Sequence, residues 1–396
     1  MMRPDSPARP RPDPHVPQPP AAAAAGWRLG EARLVLLWLG YVIAVWLIAA
    51  YAAGAFVSHR LPPPPAIATA PLSAWDGANY TEIARDGYSL EPGAARRFAF
   101  FPLMPALARL AGGFTHAPLA GILLSQLLLL GCLLLLREWR RDAPGAPRAP
   151  PGDLRAEPGF WLLMAPLAFF YAVFYAESLF LFLVLGALVL WRRGRIGAAA
   201  LALVLAGLSR PTAICLPVLF LPAILDAETR RSGLLLAAAP LAGMALYLGY
   251  VGMLTGSPFG YSRLQAELWG HGWSVPFLPV LLELKRVLAL AFSGTLPPRD
   301  LLIRPVVLIG VVLLLVSCWR RLDPEFRAYA IVSLVFIHAQ VPSLSSARYD
   351  LAIFPIFIAL ARTPLARSRT GVLLAVAFLI VQLAFMLDFM VWRWAA

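Results

Sequence analysis

Long apolar stretches separated by short polar segments run along most of the chain, and this pattern predicts a series of transmembrane helices. The first stretch, from about Leu34 to Val57, is long enough to cross roughly 30 Å of hydrocarbon. It exceeds the roughly 7–15 apolar residues of a signal peptide, so it predicts a retained span. Several later stretches fall short of about 20 residues, which predicts broken or tilted helices among them. The predicted spans number about eleven, the others lying near 118–136, 160–175, 178–191, 196–208, 212–225, 233–254, 301–318, 328–341, 351–361 and 371–390.

The composition favours one membrane-embedded unit over several soluble domains. Of the 396 residues, 60% are hydrophobic and only 14% are charged, whereas soluble proteins average roughly 45–50% and about 25%. We therefore expect an all-α polytopic membrane protein whose single domain covers residues 34–396. Residues 1–33, which are rich in Pro, Ala and Arg, are predicted to form a disordered cytoplasmic tail.

The positions of the arginines predict how the helices are oriented. The formal net charge is +13, but the arginines form short clusters between apolar stretches, which argues against nucleic-acid binding. Alternate polar segments carry these clusters, and the positive-inside rule places such segments in the cytoplasm. The unusual polar residues then collect on the other side, in the outer loops 58–117 and 255–300 and at short junctions. The predicted cytoplasmic arginines are Arg137, Arg140, Arg141, Arg148, Arg155, Arg192, Arg193, Arg195, Arg230, Arg231, Arg320, Arg321, Arg327, Arg362, Arg367 and Arg369.

The segment WDGANYTEIARDGY, residues 75–88, lies in the first outer loop and predicts a short helix. Ser73 or Asp76 could cap its start, and Gly87 suits the left-handed position after its end. In such a helix, Asp76 and Tyr80 lie on one face because they are four residues apart. Two interpretations of Asp76 stay open at this point: a carboxylate base for a hydroxyl group, or a simple N-cap at the membrane surface.

The same outer loop contains a second apolar segment, FFPLMPALARL, at residues 100–110. It has two prolines and is too short to span a membrane, so it predicts an interfacial helix, with core packing as the alternative. On the preceding helix, Glu82 and Arg85 are expected to pair in solvent. The loop as a whole is therefore predicted to hold two short helices at the membrane surface.

Glu177, Arg210 and Arg348 each interrupt apolar sequence at a junction between predicted spans. Charged residues at such positions are costly and are usually functional or paired. Arginine suits phosphate oxygens because of its forked donors, which favours Arg210 and Arg348 as ligands of an anionic group, with Tyr349 stacking or donating a hydrogen bond. The alternatives are a solvated turn for Glu177, an ion pair between Arg210 and Glu177, and simple membrane anchoring by Arg348 and Tyr349.

The remaining polar and aromatic residues give weaker signals. Trp269, His271 and Trp273 could stack on a sugar or anchor the membrane boundary, and we favour anchoring. Asp388 is expected at the outer boundary without a catalytic role. The scattered cysteines and histidines show no metal-ligand spacing, so no cofactor is expected, although a divalent ion stays open.

These motifs together resemble those of the bacterial branch of the PIG-V-like mannosyltransferases, in the GT-C glycosyltransferase superfamily. The resemblance covers about residues 34–361. The chain departs from the usual pattern at Ala176, where Thr is more common, and at Met104, where an aromatic residue is common. The matching segments are Trp75-Asp76 through Ile83-Ala84 with Gly87-Tyr88, Phe100-Phe101-Pro102-Leu103 with Pro105, Ala176-Glu177-Ser178-Leu179-Phe180, Ser209-Arg210-Pro211-Thr212, and Arg348-Tyr349 with Pro355.

The resemblance implies a GT-C-like helix bundle of the inner (plasma) membrane, with its site facing the periplasm or exterior and its N-terminus in the cytoplasm. It implies an enzyme that moves a sugar, typically mannose, from a polyprenyl-phosphate carrier to a hydroxyl of a glycan, lipid or protein in one inverting step. A need for a partner subunit stays open. Asp76 would be the catalytic base. The residues that would bind the substrates are Trp75, Tyr80, Glu177, Arg210, Arg348 and Tyr349.

Two other classes of function stay open beside the transferase. A transporter or flippase of a lipid-linked sugar would place polar residues near the bilayer midplane along a path, whereas here they collect on one side. A non-catalytic scaffold would give no reason for Glu177, Arg210 and Arg348 to share the membrane level of Asp76. Both comparisons favour the transferase.

Overall fold

The computed structural model describes residues 21–56, 69–141, 153–342, 345–350 and 353–393. Residues 1–20 of the predicted tail lie outside these ranges. Residues 21–33, also predicted as tail, instead belong to the first helix, which begins at Ala21. The five consecutive alanines at its start have the highest helix propensity of any residue, which accounts for the early beginning.

Helices make up 79% of the structure, and strands are almost absent from the described residues. One small antiparallel sheet pairs β1 (Gly272–Trp273) with β2 (Gln340–Val341). Short 3₁₀ helices cover Pro71–Ser73, Ala95–Ala99, Leu154–Ala156, Ala168–Tyr171, Pro211–Phe220 and Trp319–Arg321. The α-helices of the described ranges are α1 (Ala21–Phe56), α2 (Asp76–Asp86), α3 (Leu103–Gly112), α4 (Ala117–Arg141), α5 (Pro158–Met164), α6 (Glu177–Arg192), α7 (Ile196–Gly207), α8 (Leu221–Leu225), α9 (Arg230–Thr255), α10 (Gly260–Trp269), α11 (Leu278–Phe292), α12 (Arg299–Cys318), α13 (Pro324–His338), α14 (Ser346–Tyr349), α15 (Pro355–Ala361), α16 (Pro364–Arg367) and α17 (Arg369–Met390).

Five helices of the described residues are long and apolar enough to cross a membrane. Their outer faces carry large apolar side chains that no protein atoms cover, such as Leu36, Val316 and Leu373, each about two-thirds exposed. Apolar side chains are stable in that position when lipid surrounds them, and this agrees with the predicted all-α membrane protein. The five spans are Gly30–Gly54, Ala117–Arg140, Arg230–Thr255, Leu301–Arg321 and Arg369–Met390.

The predicted count of about eleven spans is not confirmed. The other six predicted stretches form helices of 16 residues or fewer, or contain 3₁₀ turns. A 16-residue α-helix is only about 24 Å long, shorter than a hydrocarbon core of roughly 30 Å. Proline explains two of the breaks: α5 ends just before Pro166, and Pro217 lies within the 3₁₀ segment that precedes α8.

Small residues let the central helices approach closely. A Cβ atom added at Gly207 on α7 would overlap the carbonyl oxygen of Pro240 on α9, and one added at Gly243 would overlap the carbonyl of Val204. Two helices whose backbones touch in this way use glycine because any side chain would separate them. This contact fixes α7, and therefore the start of the segment that follows it at Arg210.

Basic residues gather at one end of the bundle, where α6 ends. Arg192 lies over the ring of Trp139 near the end of α4, and Arg193 pairs with Glu138. The ring of Trp139 in turn packs against Phe326 at the start of α13, with ring centroids 5.6 Å apart. Glu177 lies at the other end of α6, about 22 Å away at 1.5 Å per residue. The arginine-rich segments and the polar junctions therefore occupy opposite ends of this helix.

Candidate functional site

Helix α2 extends from Asp76 to Asp86, close to the bounds that the sequence predicts, and Gly87 follows it with a positive φ of 77°. The predicted caps are wrong, because neither Ser73 nor Asp76 accepts a hydrogen bond from the first turn. The Ser73 hydroxyl donates to the carbonyl of Thr69 instead. The Asp76 amide donates to the phenol oxygen of Tyr175, at 3.1 Å, so a distant side chain caps this helix.

The predicted pair between Glu82 and Arg85 does not form. Arg85 pairs with its neighbour Asp86, while Glu82 binds Arg96 and Arg97 at 3.1 and 2.9 Å. The 3₁₀ turn that contains these two arginines packs beside α2, and this places both guanidinium groups next to Glu82. All of these pairs are at least partly exposed, and exposed ion pairs contribute little to stability.

Four charged side chains from distant parts of the sequence meet in one cluster. Nη1 of Arg348 donates to Oδ2 of Asp76 at 2.6 Å. Oε1 of Glu177 lies 2.7 Å from Nη1 of Arg210 and 3.2 Å from Nε of Arg348. Arg348 therefore bridges the two carboxylates. We call Asp76, Glu177, Arg210 and Arg348 the charged cluster.

Three members of the charged cluster are buried, and the fourth, Asp76, is partly exposed. The side chains of Glu177, Arg210 and Arg348 are 4–7% exposed, whereas that of Asp76 is 19% exposed. Burial contradicts a solvated turn at Glu177 and simple membrane anchoring by Arg348, while the ion pair between Arg210 and Glu177 is confirmed as a contact. Two acids and two arginines balance in charge, as buried ions require. Asp76 is the member that a solute reaches first.

Aromatic rings enclose the Arg348 guanidinium. Its central carbon lies 5.0–5.4 Å from the ring centroids of Phe170, Tyr175 and Tyr349. Tyr349 also faces Arg210 at 5.1 Å and accepts a hydrogen bond from Arg348 Nη2 at 3.3 Å. The π faces attract cations, so these rings stabilise the arginine positions in addition to excluding water.

Tyr80 lies on the buried face of α2 and packs against Phe100, Phe174 and Tyr175. Burial, and then the negative charge of Glu177, raises the pKa of the Tyr80 hydroxyl, against the opposing effect of Arg210. The hydroxyl therefore stays protonated at any physiological pH and can only donate or accept a hydrogen bond.

Trp75, next to Asp76 in sequence, contacts the end of α17. Its indole Nε1 donates to the carbonyl of Phe389 at 3.4 Å, and its ring centroid lies 5.9 Å from that of Trp392. The Trp75 ring is only partly buried. The Trp75 side chain, adjacent to Asp76 in sequence, is therefore partly accessible to a solute.

Other residues with a predicted boundary role lie in other contacts. Trp269 donates from Nε1 to the carbonyl of Arg96, and the Trp273 side chain is 70% exposed. Asp388 pairs with Arg299. None of the contacts that the described residues make joins these side chains to the charged cluster.

Helix α3, predicted as an interfacial helix, has one buried and one exposed face. Met104 and Ala108 are fully buried, whereas Leu110 is 82% exposed. The amide of Leu103 donates to the carbonyl of Leu208, two residues before Arg210. A backbone hydrogen bond therefore joins the start of α3 to the segment that carries Arg210.

A second buried polar pair lies two residues beyond Arg348. Nε2 of His338 is 3.2 Å from Oδ1 of Asp350, and the ring of Phe277 stacks on the imidazole. Burial raises the pKa of Asp350, although the hydrogen bond and charge of His338 act in the opposite direction. The folded protein therefore holds the Asp350 proton more tightly than the unfolded chain does.

This raised pKa gives a pH prediction. An acid whose pKa is higher in the folded state stabilises the fold below its ordinary pKa and loses that contribution as pH rises through the raised value. We expect Asp350→Asn to reduce the loss of thermal stability as pH rises above the ordinary pKa of an aspartate, about 4, since the Asn amide does not titrate. Asp226→Asn, an exposed turn residue, is the control. An unchanged pH dependence in Asp350→Asn would contradict the expectation.

Sequence reasoning does not identify two residues that contact the cluster. Tyr175 and Phe170 lie within an apolar stretch that reads as a membrane span, yet both rings face Arg348. Tyr175 precedes Glu177 by two residues, which is the only sequence hint of its position.

The arrangement combines a reachable carboxylate with two buried arginines beneath it. Such a site can accept a proton at Asp76 and can stabilise an anion at the arginines. Within the described ranges, no group of three or more His, Cys, Asp or Glu side chains is placed to hold a metal ion. No family model, curated protein or solved structure matches this chain.

Proposed function

We propose that this protein is an integral membrane glycosyltransferase that moves a sugar, mannose in the first instance, from a polyprenyl-phosphate carrier to an acceptor hydroxyl. The observation that carries the proposal is the 2.6 Å contact between Asp76 and Arg348 at the mouth of a buried charged cluster. Transfer from a phosphate-linked sugar needs a base for the acceptor and cations for the departing phosphate, and both are present within a few ångströms of each other.

In the proposed reaction, the acceptor hydroxyl attacks the anomeric carbon from the face opposite the phosphate. Its proton passes to the Asp76 carboxylate as the new carbon–oxygen bond forms. The bond from the anomeric carbon to the phosphate oxygen breaks, and polyprenyl phosphate leaves with the electron pair. The configuration at the anomeric carbon inverts. Arg348 and Arg210 stabilise the charge that develops on the phosphate.

The other residues of the site support these steps. Glu177 holds Arg210 and Arg348 in place through its two short contacts. Tyr349 lies against both guanidinium groups. Trp75 offers a partly exposed ring on which a sugar can stack. Protonated Tyr80, four residues after Asp76 on α2, lies close enough to the charged groups to interact with them electrostatically.

The proposed location is the inner (plasma) membrane, with a GT-C-like bundle whose site faces the periplasm or exterior. The support is the separation along α6, because the arginine-rich end would lie in the cytoplasm by the positive-inside rule and the charged cluster lies at the other end. A site on that side meets carrier-linked sugars after they cross the membrane. The acceptor is a glycan, lipid or protein hydroxyl.

A transfer assay tests the proposal against a lipid-linked-sugar flippase. Membranes that contain the protein are incubated with radiolabelled polyprenyl-phosphate mannose, and membranes without it are the control. We expect label to enter a new lipid, protein or glycan only when the protein is present. Movement of the donor between leaflets without a new labelled product would support the flippase and overturn the transferase.

A further inference from the structure

The backbone of Trp75 has a conformation that residues with a side chain rarely adopt. Its φ is 59° and its ψ is −116°, immediately before the first residue of α2. Such conformations are unfavourable and persist where surrounding contacts enforce them. The position of the Asp76 carboxylate depends on this turn, because residue 75 sets the direction in which α2 begins.

The hydroxyl of Tyr175 bonds to the backbone on both sides of Trp75. It donates to the carbonyl of Ala74 at 3.2 Å and accepts from the amide of Asp76 at 3.1 Å. Tyr175 is 1% exposed and lies between the rings of Phe170 and Phe389. The phenol is therefore fixed by packing and spans the unusual turn from a part of the chain about 100 residues away.

The ring of the same tyrosine faces the other partner of Asp76. The Arg348 guanidinium carbon lies 5.1 Å from its centroid. Tyr175 thus contacts the peptide that bears the carboxylate and the arginine that pairs with it. If Arg348 turns towards a phosphate, the carboxylate loses its only side-chain hydrogen bond among the described residues, while the Tyr175 bond to the Asp76 amide is unaffected.

We propose that Tyr175 is a positioning residue that holds the Asp76 carboxylate in its reactive place by clamping the turn at Trp75. The inference rests on the proposed function. The Tyr175 hydroxyl keeps the start of α2 fixed during the reaction, when Arg348 binds the departing phosphate. A base that is misplaced by about 1 Å can lose roughly a hundredfold in rate.

The first test compares Tyr175→Phe with Tyr247→Phe. Tyr247 is another buried tyrosine whose hydroxyl bonds to backbone, at the carbonyls of Phe98 and Phe100. We expect Tyr175→Phe to lower kcat per folded molecule by about ten- to a hundredfold, with the KM for the donor nearly unchanged. Tyr247→Phe should keep kcat. Equal kcat values in the two variants, with only the yield of folded protein reduced, would overturn the positioning role.

A second measurement needs no activity, so it separates failure of this inference from failure of the proposed function. Hydrogen exchange of the amides in residues 72–80 is followed by mass spectrometry in detergent. Since Tyr175 binds the Asp76 amide directly, Tyr175→Phe should speed exchange in that peptide, whereas Tyr247→Phe should not. Unchanged exchange in Tyr175→Phe would refute the clamp even if the wild-type protein transfers sugar. Faster exchange in a protein that transfers no sugar would retain the clamp and refute the reaction.

Discussion

Asp76→Asn is expected to lower sugar transfer at least about a hundredfold, because a general base typically contributes about 10²–10⁴ to the rate. The amide has the shape of the carboxylate but cannot accept the acceptor's proton. The fold should survive, since the Asp76 side chain is partly exposed and Arg348 keeps its contact with Glu177. Initial rates of transfer and the thermal unfolding temperature of the purified protein give the two measurements.

Asp86→Asn is the matched control for this variant. Asp86 ends the same helix and pairs with Arg85 and Arg97 at the surface, so the substitution removes the same charge without touching the charged cluster. It should transfer sugar at the wild-type rate. Near-normal turnover in Asp76→Asn, or an equal loss in both variants, would refute the role of Asp76 as the base.

Glu177→Gln is expected to have the largest effect on stability, about 3–5 kcal/mol, which is typical when one partner of a buried ion pair is removed. The neutral amide removes the carboxylate that pairs with Arg210, and it leaves Asp76 as the carboxylate that pairs with Arg348 among the described residues. Both guanidinium groups are buried and cannot recover their hydration. Denaturant or thermal unfolding in detergent measures the loss.

Glu82→Gln supplies the comparison for Glu177→Gln, since Glu82 also bridges two arginines but at a partly exposed position. It should cost no more than about 1 kcal/mol. The double variant Glu177→Gln with Arg210→Gln should cost less than the sum of the single changes, because it removes the stranded charge along with its partner. Two results would contradict this expectation. One is a loss of unfolding free energy in the double variant that equals the sum of the single losses, and the other is an equal loss in Glu82→Gln and Glu177→Gln.

The sequence predicts the long helices, but it does not show which of the shorter apolar stretches cross the membrane. An apolar stretch of 20 or more residues, as in α4 or α9, forms a helix in a membrane because a helix satisfies all backbone hydrogen bonds within the segment. A shorter apolar stretch does not reveal whether it crosses the bilayer or packs inside the protein. The stretch 160–175 reads as a span, yet it breaks near Pro166 into α5 and a 3₁₀ turn that lie against other helices.

The same limit applies to the site. Glu177, Arg210 and Arg348 stand out because charges interrupt apolar sequence, and the ion pair of Glu177 with Arg210 follows from their burial. Tyr175 does not stand out, because a tyrosine among apolar residues is ordinary packing. Its hydroxyl bonds to the backbone atoms of residues 74 and 76. Every residue has these backbone atoms, so the sequence does not reveal which ones a side chain will bind.

The length of α6 has a consequence for depth. Its 16 residues rise about 24 Å, roughly 6 Å less than the thickness of the hydrocarbon layer. If Arg192 lies at one boundary of that layer, Glu177 and the guanidinium groups that it binds are sunk below the opposite boundary. A carrier phosphate could then meet them while its polyprenyl chain stays among the acyl tails, and only the sugar would have to face water.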